Sequence, residues 1–147
     1  MDVPSPQTSP VEFAAFFVAM WVAVCLLLSF VGGWRRLAED YRLTTSFTGD
    51  RWYFRSASFR RFVGYSNVLI VGANREGLYL SVLLPFRIGH PPLLIPWRHV
   101  RKAKPGPFSI FSVPLHLGEN YPVRVSLSKG LVRRFEEQFA HELQTVA

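Results

Sequence analysis

The pattern of apolar and polar positions takes three forms along this chain: an unbroken apolar run, then alternation with a period of two, then helical spacing. From Phe13 to Val31 the sequence FAAFFVAMWVAVCLLLSFV runs for 19 residues without a charge. As a helix rising about 1.5 Å per residue it is roughly 28 Å long, close to the hydrocarbon thickness of a bilayer. Only a helix satisfies its own backbone in lipid, so the run predicts a transmembrane helix over 13–31. A secretory signal peptide is the competing reading. The polar leader 1–12, MDVPSPQTSPVE, has no Lys or Arg for a positive n-region, and no A-x-A-like site closes the run. A retained span is the expectation.

After the flexible Gly32-Gly33 pair, WRRLAEDYR places Trp34, Leu37, Ala38 and Tyr41 on one helical stripe with the arginines opposite. This predicts a short amphipathic helix within 32–44. It either lies along the headgroups, with Trp34 as an interfacial anchor, or packs on the folded part. From residue 51 the period is two. VRVSL (123–127) alternates cleanly, and LYLSVLL (78–84) nearly so, which marks half-buried antiparallel strands. Further strands are expected at 51–58, around RFVGY (61–65), at NVLIVGA (67–73), at LLIPW (93–97) and at FSIFSV (108–113), seven in all. The turn NREG joins two of them, with Gly77 expected to supply a positive φ. The greasy stretch 76–97 is no second span, because Pro85, Pro91, Pro92 and Pro96 cut it into pieces far too short. The last change is to helical spacing: Ser128 caps a predicted helix from about Lys129 to Leu143, with Leu131, Val132, Phe135, Phe139 and Leu143 on one stripe. The fold class is α+β: an N-terminal transmembrane helix, then a small, highly bent seven-stranded antiparallel sheet or barrel over 45–147, plugged by the C-terminal helix.

Charge orients this picture. All 17 Lys and Arg lie at or after Arg35, against 8 acids from Trp34 onward, a net +9; the part before Trp34 carries −2. Arg35, Arg36, Arg42 and Arg51 follow the apolar run closely and no basic residue precedes it. The positive-inside rule then puts the N-terminus outside and 45–147 in the cytoplasm. Cys25 is the lone cysteine, so no disulfide framework or thiolate metal site is expected. His90, His99, His116 and His141 stand at no metal-ligand spacing, and no metal or cofactor is expected.

VGANREGLYLS, a strand, turn and strand, is followed by LLIPWRHVRK, a short strand ending Ile-Pro-Trp before a basic segment. Over roughly residues 50–145 this order resembles the pleckstrin-homology-like (PH-like) fold, in its GRAM and bacterial PH-like branches, and the whole chain resembles a group of bacterial proteins with one N-terminal span. The resemblance implies a seven-stranded barrel capped by the terminal helix, a bacterial inner-membrane location, and a binding or scaffolding module with no reaction. In lipid-binding relatives basic residues gather around the loop joining the first two strands, which here holds Arg55, Arg60 and Arg61. The strand lysine that precedes that loop in the phosphoinositide pattern has no counterpart.

Chemistry narrows the function classes. No G-x-S-x-G, H-E-x-x-H, P-loop or dinucleotide fingerprint appears, so an enzyme is not expected. Fourteen arginines among aromatics suit nucleic acid, but a span holding the domain against an anionic leaflet accounts for the same charge more simply. Arg35, Arg36, Arg55, Arg60, Arg61, Arg98, Arg101 and Lys102 are the candidate lipid- or anion-binding residues, unless the charge only fixes topology. The 22 aromatic residues (4 Trp, 5 Tyr, 13 Phe) exceed what so small a core hides, and aromatics are enriched at interfaces. The loop PFRIGHPPLL is the candidate patch for a membrane protein partner, through Phe86, Arg87, Ile88 and His90, unless it only covers one end of the barrel. The expected function is a membrane-anchored adaptor or complex subunit, the alternative a sensor of anionic headgroups.

Overall fold

The computed structural model describes the chain apart from residues 1–2, 4, 60–62, 108–109, 121 and 144–147, and without the side chains of 63, 66 and 140–143. Helix α1 spans Pro10–Gly32, starting three residues before the apolar run because Ser9 and Glu12 close a reciprocal capping box. It is the one helix among the described residues long and apolar enough to cross a membrane, a property it shares with signal sequences. Gly33, at φ 85°, ends α1 and turns the chain into α2, Trp34–Tyr41. Only glycine takes that conformation without penalty.

Seven antiparallel strands follow: β1 Asp50–Phe59, β2 Val63–Ala73, β3 Gly77–Val82, β4 Leu93–Pro96, β5 Val100–Lys102, β6 Ser112–Leu117 and β7 Val123–Ser128. Their order, β4-β3-β2-β1-β7-β6-β5, wraps into a nearly closed barrel with β4 and β5 at the gap. That gap is bridged by a single 3-10 turn, Trp97–His99. Helix α3, Lys129–Leu143, returns over one opening, with Ser128 Oγ accepting the Leu131 N–H at 3.4 Å. The layout is the expected α+β one and is compatible with a PH-like barrel.

The count of seven agrees although its members differ. The segments expected as two strands at 61–65 and 67–73 are one strand, β2, carried through a bulge at Asn67. Asn67 sits at φ 57°, a conformation Asn tolerates, and its N–H is held by Ser56 Oγ at 3.0 Å. β5 forms in the basic segment after Ile-Pro-Trp, where no strand was expected. β6 begins at Ser112, later than the expected 108–113, whose first two residues lie outside the described residues. Pro114 lies within β6. It is accommodated where β5 runs out, its carbonyl taking the Ala103 N–H at 2.9 Å.

Gly77 also plays a different part from the expected one. It is not among the positive-φ residues; instead a Cβ at that position would run into the Ile95 carbonyl of β4. The turn itself is made by Asn74, whose side-chain oxygen accepts the N–H groups of Glu76 and Gly77 at 2.9 and 3.1 Å.

Trp34 corrects the interfacial-anchor reading and decides between the two roles for α2. The indole is 0% exposed, packs on Phe59 and Tyr65, and donates from Nε1 to the Pro91 carbonyl at 2.9 Å. Leu37 joins the same core, so α2 packs on the barrel. Its far end is tied down by Tyr41, whose hydroxyl meets His99 Nδ1 at 2.9 Å and accepts the Glu119 N–H at 3.1 Å. β3 is buried on both faces, not half-buried, because a second cluster of Phe47, Ile70 and Tyr79 covers its outer side.

Candidate functional site

Two regions of the surface combine unusual geometry with chemistry. The first is the junction between α1 and the β3–β4 loop (83–92). Trp21 Nε1 donates to the Pro85 carbonyl at 3.4 Å, and its ring lies 4.9 Å from that of Phe86. Two turns on, Ser29 Oγ donates to the Gly89 carbonyl at 2.5 Å, and Leu26 lies so close to Gly89 that a Cβ there would stand 2.9 Å from Leu26 Cδ2. Gly89 is thus needed for the approach, and it adopts φ 73° besides. Cys25, Ser29 and Gly32 are buried on this side, while the rest of α1 shows a bare apolar surface.

His90 closes the junction from beneath. Its ring is 1% exposed, edge-on to Trp34 and Tyr65. Nδ1 lies 3.0 Å from the Ile88 carbonyl, which only accepts, so Nδ1 carries the proton and Nε2 accepts the Tyr65 hydroxyl at 2.7 Å. Burial holds the imidazole pKa below its ordinary value, against the opposing pull of the backbone carbonyls. Burial likewise raises the Tyr65 phenol. Both groups are neutral around pH 7 and satisfy each other.

The sign of the resulting pH dependence follows. Unfolded, His90 titrates near 6.5; folded, it resists protonation. Its contribution to stability is therefore complete above that value and is lost as pH falls below it toward the lower native pKa. Thermal melts of the full chain in detergent, at about pH 7.5 and about pH 5.5, are expected to show this loss. His90→Gln keeps a neutral donor and acceptor and is expected to flatten the slope. An equal acid loss in both proteins would assign the effect to another group.

The second region is the β1 bulge. Register slips between Trp52 and Arg55, and Phe54 adopts φ 55°. For a bulky aromatic that conformation costs about 1–2 kcal/mol. Its consequence is that Tyr53 and Phe54 both point outward, 51% and 66% exposed, where alternation would turn one of them in. On the β5–β6 loop Ile110 and Phe111 are also bare, Phe111 at 84%.

The residues singled out from the sequence fall in several places. Of the partner patch, Arg87 and Ile88 are exposed, Phe86 is half-buried against Trp21, and His90 is wholly enclosed. His90 therefore cannot meet a partner as expected, because Tyr65, Trp34 and Ile88 surround it. Arg35 and Arg36 are exposed on the first turn of α2, next to the end of α1. Arg55 is half-buried beside Arg134 and the start of α3, around a cavity of about 120 Å³, and its Nε has no hydrogen-bond partner among the described residues. Arg98 and Arg101 are exposed, and Lys102 is ion-paired with Glu136. Arg98 adjoins His99, which meets Tyr41 at the other end of α2 from Arg35 and Arg36. Arg60 and Arg61 lie outside the described residues. Among the described residues no group of His, Cys, Asp and Glu is arranged to hold a metal ion.

The bulge was missed in sequence because RWYFRSAS reads as a regular strand. The only cue was an aromatic excess without an address. No family model matches this chain, and no curated protein or solved structure matches it either.

Proposed function

We propose that this chain is a single-span membrane protein whose PH-like barrel, without enzymatic activity, serves as an adaptor or subunit of a membrane protein complex. The observation that carries this reading is the β1 bulge. Two neighbouring aromatics are held bare in water at the cost of a strained backbone, although the barrel core packs Trp34, Phe59, Tyr65, Trp97 and Phe135. Strain of that kind persists where a function needs it, and exposed aromatics in a rigid strand make good anchors for a protein partner. Retention of α1 as a span is supported by the seating of Trp21 and Ser29 on the β3–β4 loop, contacts a cleaved leader would not keep. The positive flank argues for the N-terminus outside and the barrel in the cytoplasm of a bacterial cell.

Phe54→Gly is the informative change. It relieves the left-handed strain, so stability is expected to hold or rise by up to about 1 kcal/mol. The same change, and Tyr53→Ser, are expected to strip the partner that co-purifies with the full chain in mild detergent. A co-purifying set unchanged by both variants sinks the proposal. Orientation is checked in the same cells: a cysteine replacing Ser128 in a Cys25→Ser background reacts with an impermeant thiol reagent only after the membrane is opened.

One observation favours the second reading, contact with anionic lipid. Arg35 and Arg36 stand exposed directly after α1, where juxtamembrane basic residues gain about 1 kcal/mol each from an anionic leaflet. Their part in this reading is to hold the barrel's α1 end on the surface.

A further inference from the structure

A cavity of about 280 Å³ lies between α1 and the barrel. Its walls are Cys25 and Leu28 from the helix, Gly64 and Val68 from β2 and Phe86 from the β3–β4 loop, and the Tyr65–His90 pair completes the lining. For scale, an engineered apolar cavity of about 150 Å³ stays dry and takes benzene.

Water is poorly served here. A buried water needs about three hydrogen bonds. The Tyr65 hydroxyl proton is committed to His90 Nε2, and the His90 Nδ1 proton to the Ile88 carbonyl. Of the lining side chains, a lone pair on the Tyr65 oxygen and a weak thiol are all that remain. The chemistry of the lining selects an apolar occupant.

The position of the cavity says which one. Leu28 forms part of its wall and is also 37% exposed on the flank of α1, so the space communicates with the helix surface. That surface continues as Val24, Leu27 and Val31, all bare. With α1 in a bilayer, the molecules against that flank are lipid acyl chains. We propose that the cavity seats one acyl chain of a bilayer phospholipid, drawn sideways between α1 and β2 and resting on Phe86. This rests on the reading of α1 as a retained span. The chain fills space that the protein leaves open and joins the barrel to the membrane by a contact that owes nothing to charge.

The test uses the full chain in phosphatidylcholine vesicles carrying a phospholipid with a photoreactive diazirine on one acyl chain. After irradiation, mass spectrometry of peptides is expected to find adducts on the outer flank of α1, around Phe16 and Phe17, and also at Val68 and Phe86. Val68→Trp narrows the cavity from its wall. Gly64→Leu offers a second route, because a Cβ at Gly64 meets no atom within 4 Å. Both variants are expected to lose the adducts on β2 and the loop while keeping those on α1. Labelling of α1 with none at Val68 or Phe86 overturns the cavity proposal and leaves the span standing. Labels on β2 that survive both variants overturn it too, as contacts outside the cavity. Absence of label from α1 itself overturns the span, and the proposal with it.

Discussion

Residues 33–147, freed of α1, are expected to unfold cooperatively, whereas residues 45–147 are expected not to. The difference is α2. Trp34 is the largest fully buried side chain, set against Phe59 and Tyr65, and Leu37 fills the same core. Removing both leaves a void among β1, β2 and β4 and uncovers β4, whose Leu93 pairs with Arg42 and whose flanking Pro92 carbonyl takes the Leu43 N–H at 2.9 Å. In the intact chain the single change Trp34→Ala is expected to cost about 3–5 kcal/mol, and Leu37→Ala about 2–5 kcal/mol. Against a total stability of about 5–15 kcal/mol, either loss is large. Denaturant melts of the full chain in detergent measure the single changes, and the dispersion of amide proton signals distinguishes the two fragments. A dispersed spectrum from 45–147 would mean that the barrel closes without its helix, and α2 would revert to a linker.

How much of this was legible in sequence depends on the range of the forces involved. α1 and β7 were plain because their patterns are local: nineteen uncharged residues in one, strict alternation of Val123, Val125 and Leu127 in the other. The stripe of α2 was equally plain, but its destination was not. Trp34 on a stripe suits headgroups and a barrel core alike, and only Pro91, 57 residues away, decides between them. β5 escaped because three residues, two of them basic, make no pattern; they become a strand only by pairing with β6. Gly77 misled because a glycine beside a turn suggests positive φ, whereas its actual constraint comes from Ile95 across the sheet.

The candidate site was the least legible part for the same reason. The loop 83–92 reads in sequence as an apolar patch; its Phe86 packs on Trp21 of this chain's own α1, while Leu84 and Ile88 stay exposed. Ser29 and Gly89 lie 60 residues apart, and Trp21 and Pro85 lie 64 apart. Nothing in PFRIGHPPLL announces either meeting. Docking also changes what Phe86 does: the aromatic anchor expected for a partner becomes part of the wall between the barrel and α1. The bare Tyr53–Phe54 pair owes its exposure to one backbone torsion that no side-chain pattern reports.

The other large effect lies at the opposite end of the fold, where α3 meets the barrel. Phe135 is buried between Trp52 and Trp97, at ring separations of 5.5 and 5.8 Å. Phe135→Ala is expected to cost about 3–5 kcal/mol, since no neighbour on a rigid sheet relaxes into the space. Phe139 was expected to be buried alike, but it is half-buried, stacked on Trp97 at 5.4 Å with one side toward solvent. Its replacement by Ala is expected to cost less, about 1–2 kcal/mol. A double-mutant cycle separates area from ring contact: Phe139→Ala and Trp97→Leu together are expected to fall short of additivity by about 0.5–1.5 kcal/mol. The neighbouring Lys102–Glu136 pair serves as the contrast, because it is exposed and such pairs contribute about 0–1 kcal/mol. Equal losses at Phe135 and Phe139, measured by denaturant melts of the full chain, would mean that α3 seats more deeply than the partial exposure of Phe139 allows. A smaller loss at Phe135 than at Phe139 would place the anchor of the helix one turn nearer its C-terminus.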